Sequence, residues 1–234
     1  MPQAFFPKAV LFDLDGTLLD SAPDFLAVLN RMRVERGLGP MPLTDLRPVV
    51  SKGARAMLSA AFPDIDASER DTWVPAFLAH YESELGLHGK PFDGIEAMLA
   101  ALESNGSAWG IVTNKPEYLA KKLMPLLGWE SRCAVLIGGD TLSVRKPDPL
   151  PLQRAAELIG MDAADCVYVG DDERDIIAAR AAHMPSVVAL WGYRLQEDDP
   201  FAWRGDVLIK EPSELCDAAV WPRGRVPMHD AGRA

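Results

Sequence analysis

Lys8–Asp20 reads KAVLFDLDGTLLD, and this stretch decides the fold. Ala9–Phe12 is a short apolar run with a polar turn straight after it, the pattern of a buried parallel strand. Asp13 ends the run, and Asp15 follows two residues on. Residues i and i+2 of a strand point to one side. Both carboxylates are therefore expected in the crevice at the strand's carboxyl end, where open α/β sheets hold ligands. Gly16-Thr17 turns the chain, and Leu18-Leu19 returns it to apolar cover. Two neighbouring carboxylates at such a mouth repel each other. A hard cation that takes oxygen ligands, such as Mg2+, would relieve that repulsion. The plainer alternative is a strand end running into a turn, since Asp and Gly are common turn residues.

Outward from this strand, residues 21–90 carry helical patterns and no convincing strand. Phe25, Leu26, Leu29, Met32 and Val34 recur at nearly helical spacing between Pro23 and Gly37, with Ser21 or Asp24 as candidate caps. A second helix is expected over Ala54–Phe62, after Ser51-Lys52-Gly53. A third, capped by Ser68, is expected over Glu69–Leu87. Beyond Phe92-Asp93-Gly94 the chain alternates strand and helix. Strands are expected at 108–112, 134–137, 166–169, 186–190 and 207–209, and helices at 95–105, 117–127, 149–159 and 175–182. That rhythm predicts a doubly wound parallel sheet, an α/β fold. The helical block of ~70 residues between the first strand and the next βα unit far exceeds an ordinary connection, which suggests an inserted cap rather than a long crossover. The expected organisation is a discontinuous core of 1–20 and 91–222, a helical cap at 21–90, and a Gly-, Pro- and Arg-rich mobile tail at 223–234.

The 234 residues suit a core with an insert, and the composition is ordinary for a soluble globular protein. A formal charge of -10 argues against a general binder of nucleic acid or membrane surfaces. It also requires any anionic substrate to be held by a local positive cluster. Cys133, Cys166 and Cys216 are widely separated, odd in number and form no CxxC, so neither a zinc site nor a disulfide framework is indicated. Cys166 lies in an apolar run and reads as core. No secretory leader or membrane-length apolar stretch is legible, and a reducing cytoplasm is the simplest location.

The full string DLDGTLLD behind an apolar strand resembles motif I of the haloacid dehalogenase-like superfamily. The resemblance implies a nucleophilic Asp13 that takes a phosphoryl group and an Asp15 that works as general acid and base. It also implies three further motifs, and candidates follow in order. Thr113-Asn114 resembles motif II, whose hydroxyl and amide donors bind oxygens of the transferring group. Taken alone it is simply a polar strand end. Lys146, in Arg145-Lys146-Pro147, resembles motif III, where an ammonium offsets repulsion between Asp13 and a phosphate. A lone Lys is usually solvated, so order along the chain carries its weight.

Gly170–Asp175, GDDERD, resembles motif IV. Asp171 is the candidate direct metal ligand, and Asp175 is a ligand or an orienter of metal-bound water. Asp172 is a third candidate acid. Acidic residues at a helix N-terminus are favourable in any case. The resemblance implies Mg2+ held by Asp13, the backbone carbonyl of Asp15, Asp171 and Asp175.

Within the superfamily, Gly138–Leu142, Arg145–Pro147 and Val112–Pro116 look like the phosphoglycolate phosphatase branch. Ser51–Met57 and Gly192-Tyr193 through Glu197-Asp198 look closer to the neighbouring N-acetylmuramic acid 6-phosphate phosphatases. The implied activity is hydrolysis of a small carboxylate-bearing phosphate ester, with Arg55 and Lys52 of the cap as candidate carboxylate ligands. Arg is poorly placed for the dipole at a helix start, which hints at another use for Arg55; a solvated surface Arg is the alternative. A sugar-phosphate phosphomutase of the same superfamily and a non-catalytic phosphate-binding regulator are the other readings. One departure stands out. The helix before Pro185 ends in His183, where the relatives usually have Gly, and a left-handed residue there would cost some energy.

Overall fold

The computed structural model describes residues 5–222. The tail expected at 223–234 lies outside the described residues. Strand β1 (Ala9–Phe12) and the short β2 (Leu19–Asp20) lead into five helices: α1 (Ala22–Val34), α2 (Leu43–Leu46), α3 (Ala54–Ala61), α4 (Ala67–Thr72) and α5 (Val74–Glu84). A 3-10 turn over Arg47–Lys52 joins α2 to α3. After β3 (Lys90–Pro91) come α6 (Ile95–Ser104), β4 (Ala108–Val112), α7 (Glu117–Leu127), β5 (Leu136–Ile137) and α8 (Leu150–Leu158). The chain continues through β6 (Cys166–Gly170), α9 (Glu173–Ala181), β7 (Ser186–Ala189) and β8 (Val207–Ile209).

Six strands form one parallel sheet in the order β5-β4-β1-β6-β7-β8. β1 is buried on both faces, as its continuous apolar run requires. Val10 and Phe12 pack on one side with Leu99 of α6 and Leu119 of α7. Ala9 and Leu11 pack on the other with Leu152 of α8 and Ala179 of α9. Helices thus cover both faces. Strand order departs from chain order on each side of β1, which opens the crevice at its carboxyl end. Phe12 stands level with Ile111 and Val169, so residues 13, 113 and 171 emerge around one point.

The helices of residues 22–84 pack chiefly on one another. Phe25 of α1 stacks on Tyr81 of α5 with centroids 4.1 Å apart. The single helix expected over Glu69–Leu87 is two helices. Asp66, not Ser68, caps the first of them, its carboxylate accepting the Ser68 backbone N–H at 2.8 Å. Pro75 lies in the first turn of α5 and has no N–H to continue the ladder of α4. The cap expected for α1 is also absent: neither Ser21 nor Asp24 accepts a first-turn backbone N–H through its side-chain oxygen. Asp24, fully buried, instead accepts the backbone N–H groups of Gly86 at 3.0 Å, His88 at 2.7 Å and Gly89 at 2.8 Å. The two chain crossings between this helical layer and the sheet pair as the antiparallel ribbon β2-β3, Leu19 opposite Pro91 and Asp20 opposite Lys90. That ribbon was not expected, because two residues are too few to show an alternation. His183 takes φ 58°, the left-handed value its position predicts.

Candidate active site

The crevice is built around Asp13. Its backbone N–H donates to Val169 O at 2.9 Å, which locks the end of β1 to the end of β6. There Gly170 and Asp171 follow. A Cβ on Gly170 would overlap the Asp175 carboxylate, so only glycine lets the first turn of α9 lie this close. A Cβ on Gly16, which takes φ 93°, would likewise overlap Asp171. Carboxylate oxygens of Asp13, Asp171 and Asp175 all lie within 4.8 Å of one another. Hard oxygen donors grouped this closely fit a Mg2+-type cation.

The electrostatics follow from burial. Asp171 is fully buried, and desolvation and then Asp13 and Asp175 push its carboxyl well above the usual range. Hydrogen bonds from the Thr17 hydroxyl at 2.7 Å and the Tyr193 N–H at 2.9 Å oppose that rise. Desolvation also raises Asp175, to about 6, with Asp13 adding to the rise and Lys146 working against it. Lys146 is 3% exposed and lies 3.0 Å from Asp13 Oδ1 and 2.7 Å from Asp175 Oδ1. It also donates to the Tyr168 hydroxyl at 2.7 Å, which in turn donates to Val112 O at 2.7 Å. Desolvation lowers the affinity of Lys146 for its proton, but Asp13 and Asp175 outweigh it and the net direction is up.

Asp15 stands beside the acidic triad. Its carboxylate borders the same cavity as Asp13, yet it is not part of the acidic triad. Lys115 Nζ meets it, 2.9 Å from Oδ1 and 3.1 Å from Oδ2. The repulsion expected between Asp13 and Asp15 is thus met by two separate lysines, and the third acid beside Asp13 and Asp171 is Asp175. Asp172 serves α9 as its N-cap in a reciprocal capping box with Asp175. Its charge is taken by Arg174 at 2.7 Å and Lys52 at 3.0 Å. Burial opposes the Asp172 charge, but the Arg174 guanidinium and Lys52 hold its carboxyl down at about 2.

The other candidates are placed as follows. Thr113 is 4% exposed, borders the cavity, and its hydroxyl accepts the Lys115 N–H at 3.2 Å. Asn114 donates through Nδ2 to Lys146 O at 3.0 Å, so its amide also braces the segment carrying Lys146. Lys52 lies 3.0 Å from Asp172 and 3.1 Å from Asp198. Arg55 borders the cavity too, but its guanidinium is paired with Asp71 at 2.9 Å. Ser51 donates its hydroxyl to Asp171 at 2.9 Å, and Arg174 donates to Ser51 O. The helical layer therefore touches the acidic centre directly.

Sequence reasoning missed Lys115, Arg174, Tyr81 and Tyr168. Lys115 falls within Val112–Pro116, but nothing local ties it to Asp15, 100 residues away. Tyr81 is 34 residues from its Lys115 partner, and no local pattern announces such a pair.

The cavity measures about 310 Å³. Its floor is polar, and its wall is apolar, with Val50, Met57, Val74, Phe77 and Leu78 from the helical layer. Lys52, Arg55, Lys115, Arg145, Lys146 and Arg174 line it against four acids, Asp13, Asp15, Asp172 and Asp175. A chain of net charge -10 thus concentrates positive charge where an anion would sit.

Comparison with known proteins agrees with this geometry. The family described as haloacid dehalogenase-like hydrolase matches residues 10–189. A protein of Xanthomonas campestris named phosphoglycolate phosphatase is 64% identical over 93% of this chain and 99% of its own. One of Pseudomonas aeruginosa named N-acetylmuramic acid 6-phosphate phosphatase is 44% identical over 90% of this chain and 93% of its own. The crystal structure of a predicted phosphoglycolate phosphatase from Haemophilus somnus superposes with a TM-score of 0.78 over 92% of this chain and 98% of that one. At 23% identity that match speaks for the fold.

Proposed function

Because this chain belongs to the haloacid dehalogenase-like hydrolases, we propose that its crevice hydrolyses a small carboxylate-bearing phosphate monoester through an aspartyl-phosphate on Asp13. The observation that carries this reading is the pairing of two acids with two lysines at one strand end. Asp13 is held by Lys146, and Asp15 by Lys115.

Asp13 Oδ attacks phosphorus in line. The Oδ–P bond forms, the ester O–P bond breaks, and the proton on Asp15 passes to the leaving alkoxide. Asp15 then takes a proton from the water that attacks the aspartyl-phosphate, returning Asp13 and free phosphate. Lys146 offsets the charge that builds between Asp13 and the phosphoryl oxygens. The Thr113 hydroxyl and the motif II amides are within the cavity wall to bind those oxygens. Asp13, Asp171 and Asp175 are the residues that would hold Mg2+. It would supply positive charge to the phosphoryl oxygens.

The helical segment 21–90 acts as the cap that closes over the substrate, and Arg55 with Lys52 takes the carboxylate. Of two candidates, N-acetylmuramate 6-phosphate fits the apolar wall better. It offers acetyl and lactyl methyl groups, whereas 2-phosphoglycolate offers one methylene. The enzyme works on a small molecule in the cytoplasm, apart from nucleic acid and membranes. Among the described residues, no helix is long and apolar enough to cross a membrane.

Turnover of a phosphate-ester panel, with Mg2+ and with excess chelator, tests the reading. Release of free phosphate from N-acetylmuramate 6-phosphate in preference to 2-phosphoglycolate and N-acetylglucosamine 6-phosphate is the expected result. Full activity in chelator would remove the metal, and an isomerised sugar phosphate would replace the hydrolase by a mutase.

A further inference from the structure

Lys115 is buried, charged and so far without a role in the chemistry. It is 7% exposed, and three surroundings account for it. On the sheet side its Nζ contacts both carboxylate oxygens of Asp15, at 2.9 and 3.1 Å. On the helical side it donates to the Tyr81 hydroxyl at 2.6 Å. Its ammonium also sits 4.4 Å from the Tyr81 ring centroid and 5.0 Å from that of Phe25. An ammonium over an aromatic face is attracted by the ring quadrupole, most strongly where water is excluded. Tyr81 is fully buried and its ring stacks on Phe25. Burial, with the charges of Asp15 and Asp24, keeps its hydroxyl protonated, so it can accept the Lys115 hydrogen bond and still hold a donor of its own.

A carboxylate on the turn Asp13–Gly16 could adopt several rotamers. Two-point contact with one ammonium leaves it one. The ammonium is itself fixed from above by two aromatic rings of residues 22–84 and from below by the start of α7. On the phosphatase reading above, we propose that Lys115 is a positioning residue that aims the Asp15 carboxylate at the ester oxygen, and that Tyr81 makes this aim depend on the seating of the cap. Lys115 itself touches neither the phosphoryl group nor the leaving oxygen in this role. Its loss therefore acts on proton delivery and not on phosphate binding.

Leaving groups separate these two effects. An alkoxide must be protonated as it departs, whereas p-nitrophenolate leaves without a proton. The experiment compares parent, Lys115→Met and Tyr81→Phe on 2-phosphoglycolate or another alkyl phosphate and on p-nitrophenyl phosphate, beside thermal melts. Lys115→Met should lower the single-turnover rate of ester cleavage, which excludes hydrolysis of the shared aspartyl-phosphate, by about 100-fold on the alkyl ester, the low end of what a positioned acid–base group contributes. The fall on p-nitrophenyl phosphate should be several times smaller, and KM should change little on either. Tyr81→Phe keeps the ring and its stack and should show the same imbalance more weakly. Equal losses of this single-turnover cleavage rate on both esters, or a loss confined to KM, would overturn the role assigned to Lys115. If Lys115→Met does not fold, Tyr81→Phe decides: a profile identical to the parent's would overturn the link to the cap. A parent protein that turns over neither ester would overturn the phosphatase reading and this inference together. A working parent with balanced losses would overturn this inference alone.

Discussion

At the scale of the residue, the crevice is a set of charges whose burial makes each one depend on a partner. Removing one member of a buried pair leaves the other uncompensated, which typically costs about 3–5 kcal/mol. Isosteric changes are therefore the informative ones. Asp13→Asn keeps shape and hydrogen-bonding capacity beside Lys146 while removing the proposed nucleophile. Steady-state turnover should fall to background, with the melt little changed. Substantial residual activity would remove Asp13 as the attacking group. Arg55 is a different case, because its guanidinium is exposed and paired with Asp71. Taking a substrate carboxylate would mean giving up that pair, which is cheap at the surface. Arg55→Ala should lower kcat/KM on N-acetylmuramate 6-phosphate by about 1.5–3 kcal/mol, the scale of a charged hydrogen bond. On N-acetylglucosamine 6-phosphate, which lacks the carboxylate, the loss should be much smaller. Equal losses on both would remove the carboxylate role.

At the scale of the element, two places depend on a single residue. Asp24 of α1 collects three backbone N–H groups from 86–89, the return from the helical layer to β3. Without it those donors are left in a part-buried site, each at a cost of order 1–3 kcal/mol. Asp24→Ala is expected to destabilise the protein by about 3 kcal/mol or more, measured by denaturant unfolding. A loss below 1 kcal/mol would mean that water satisfies the return segment. His183 is the opposite case. It is exposed and holds φ 58° after α9, a conformation that glycine adopts without a Cβ clash. His183→Gly should stabilise by about 0.5–1 kcal/mol, the gain from relieved strain net of the extra freedom of the unfolded chain. An unchanged or lower melting temperature would show that the His side chain contributes contacts worth more than the strain.

For the whole molecule, an acidic centre assembled by folding would link folding to cation binding. Asp13, Asp171 and Asp175 are brought together only in the folded chain, and burial raises the carboxyls of Asp171 and Asp175. A cation held by the native state alone stabilises it, by about 2.7 kcal/mol at 100 times its dissociation constant. Mg2+ should therefore raise the melting temperature, and Asp171→Ala should abolish the rise. A melt indifferent to Mg2+ in the parent would argue against a cation at this centre. The local sequence determined the six strands of the parallel sheet, most helices, and the positions where Asp13 and Asp171 leave strand ends. Those features follow from hydrophobic period and turn chemistry, which act over a few residues. Only the tertiary structure decided which charge meets which. Lys115 reaches Asp15 across 100 positions and Tyr81 across 34, and Ser51 reaches Asp171 across 120. It also decided that the Asp15 carboxylate turns to Lys115 while that of Asp175 lies beside Asp13 and Asp171, and that Asp24 holds the return segment instead of capping its own helix. Such pairings depend on distances set by packing and on the dryness that makes an unpaired charge costly, and no periodicity along the chain encodes either.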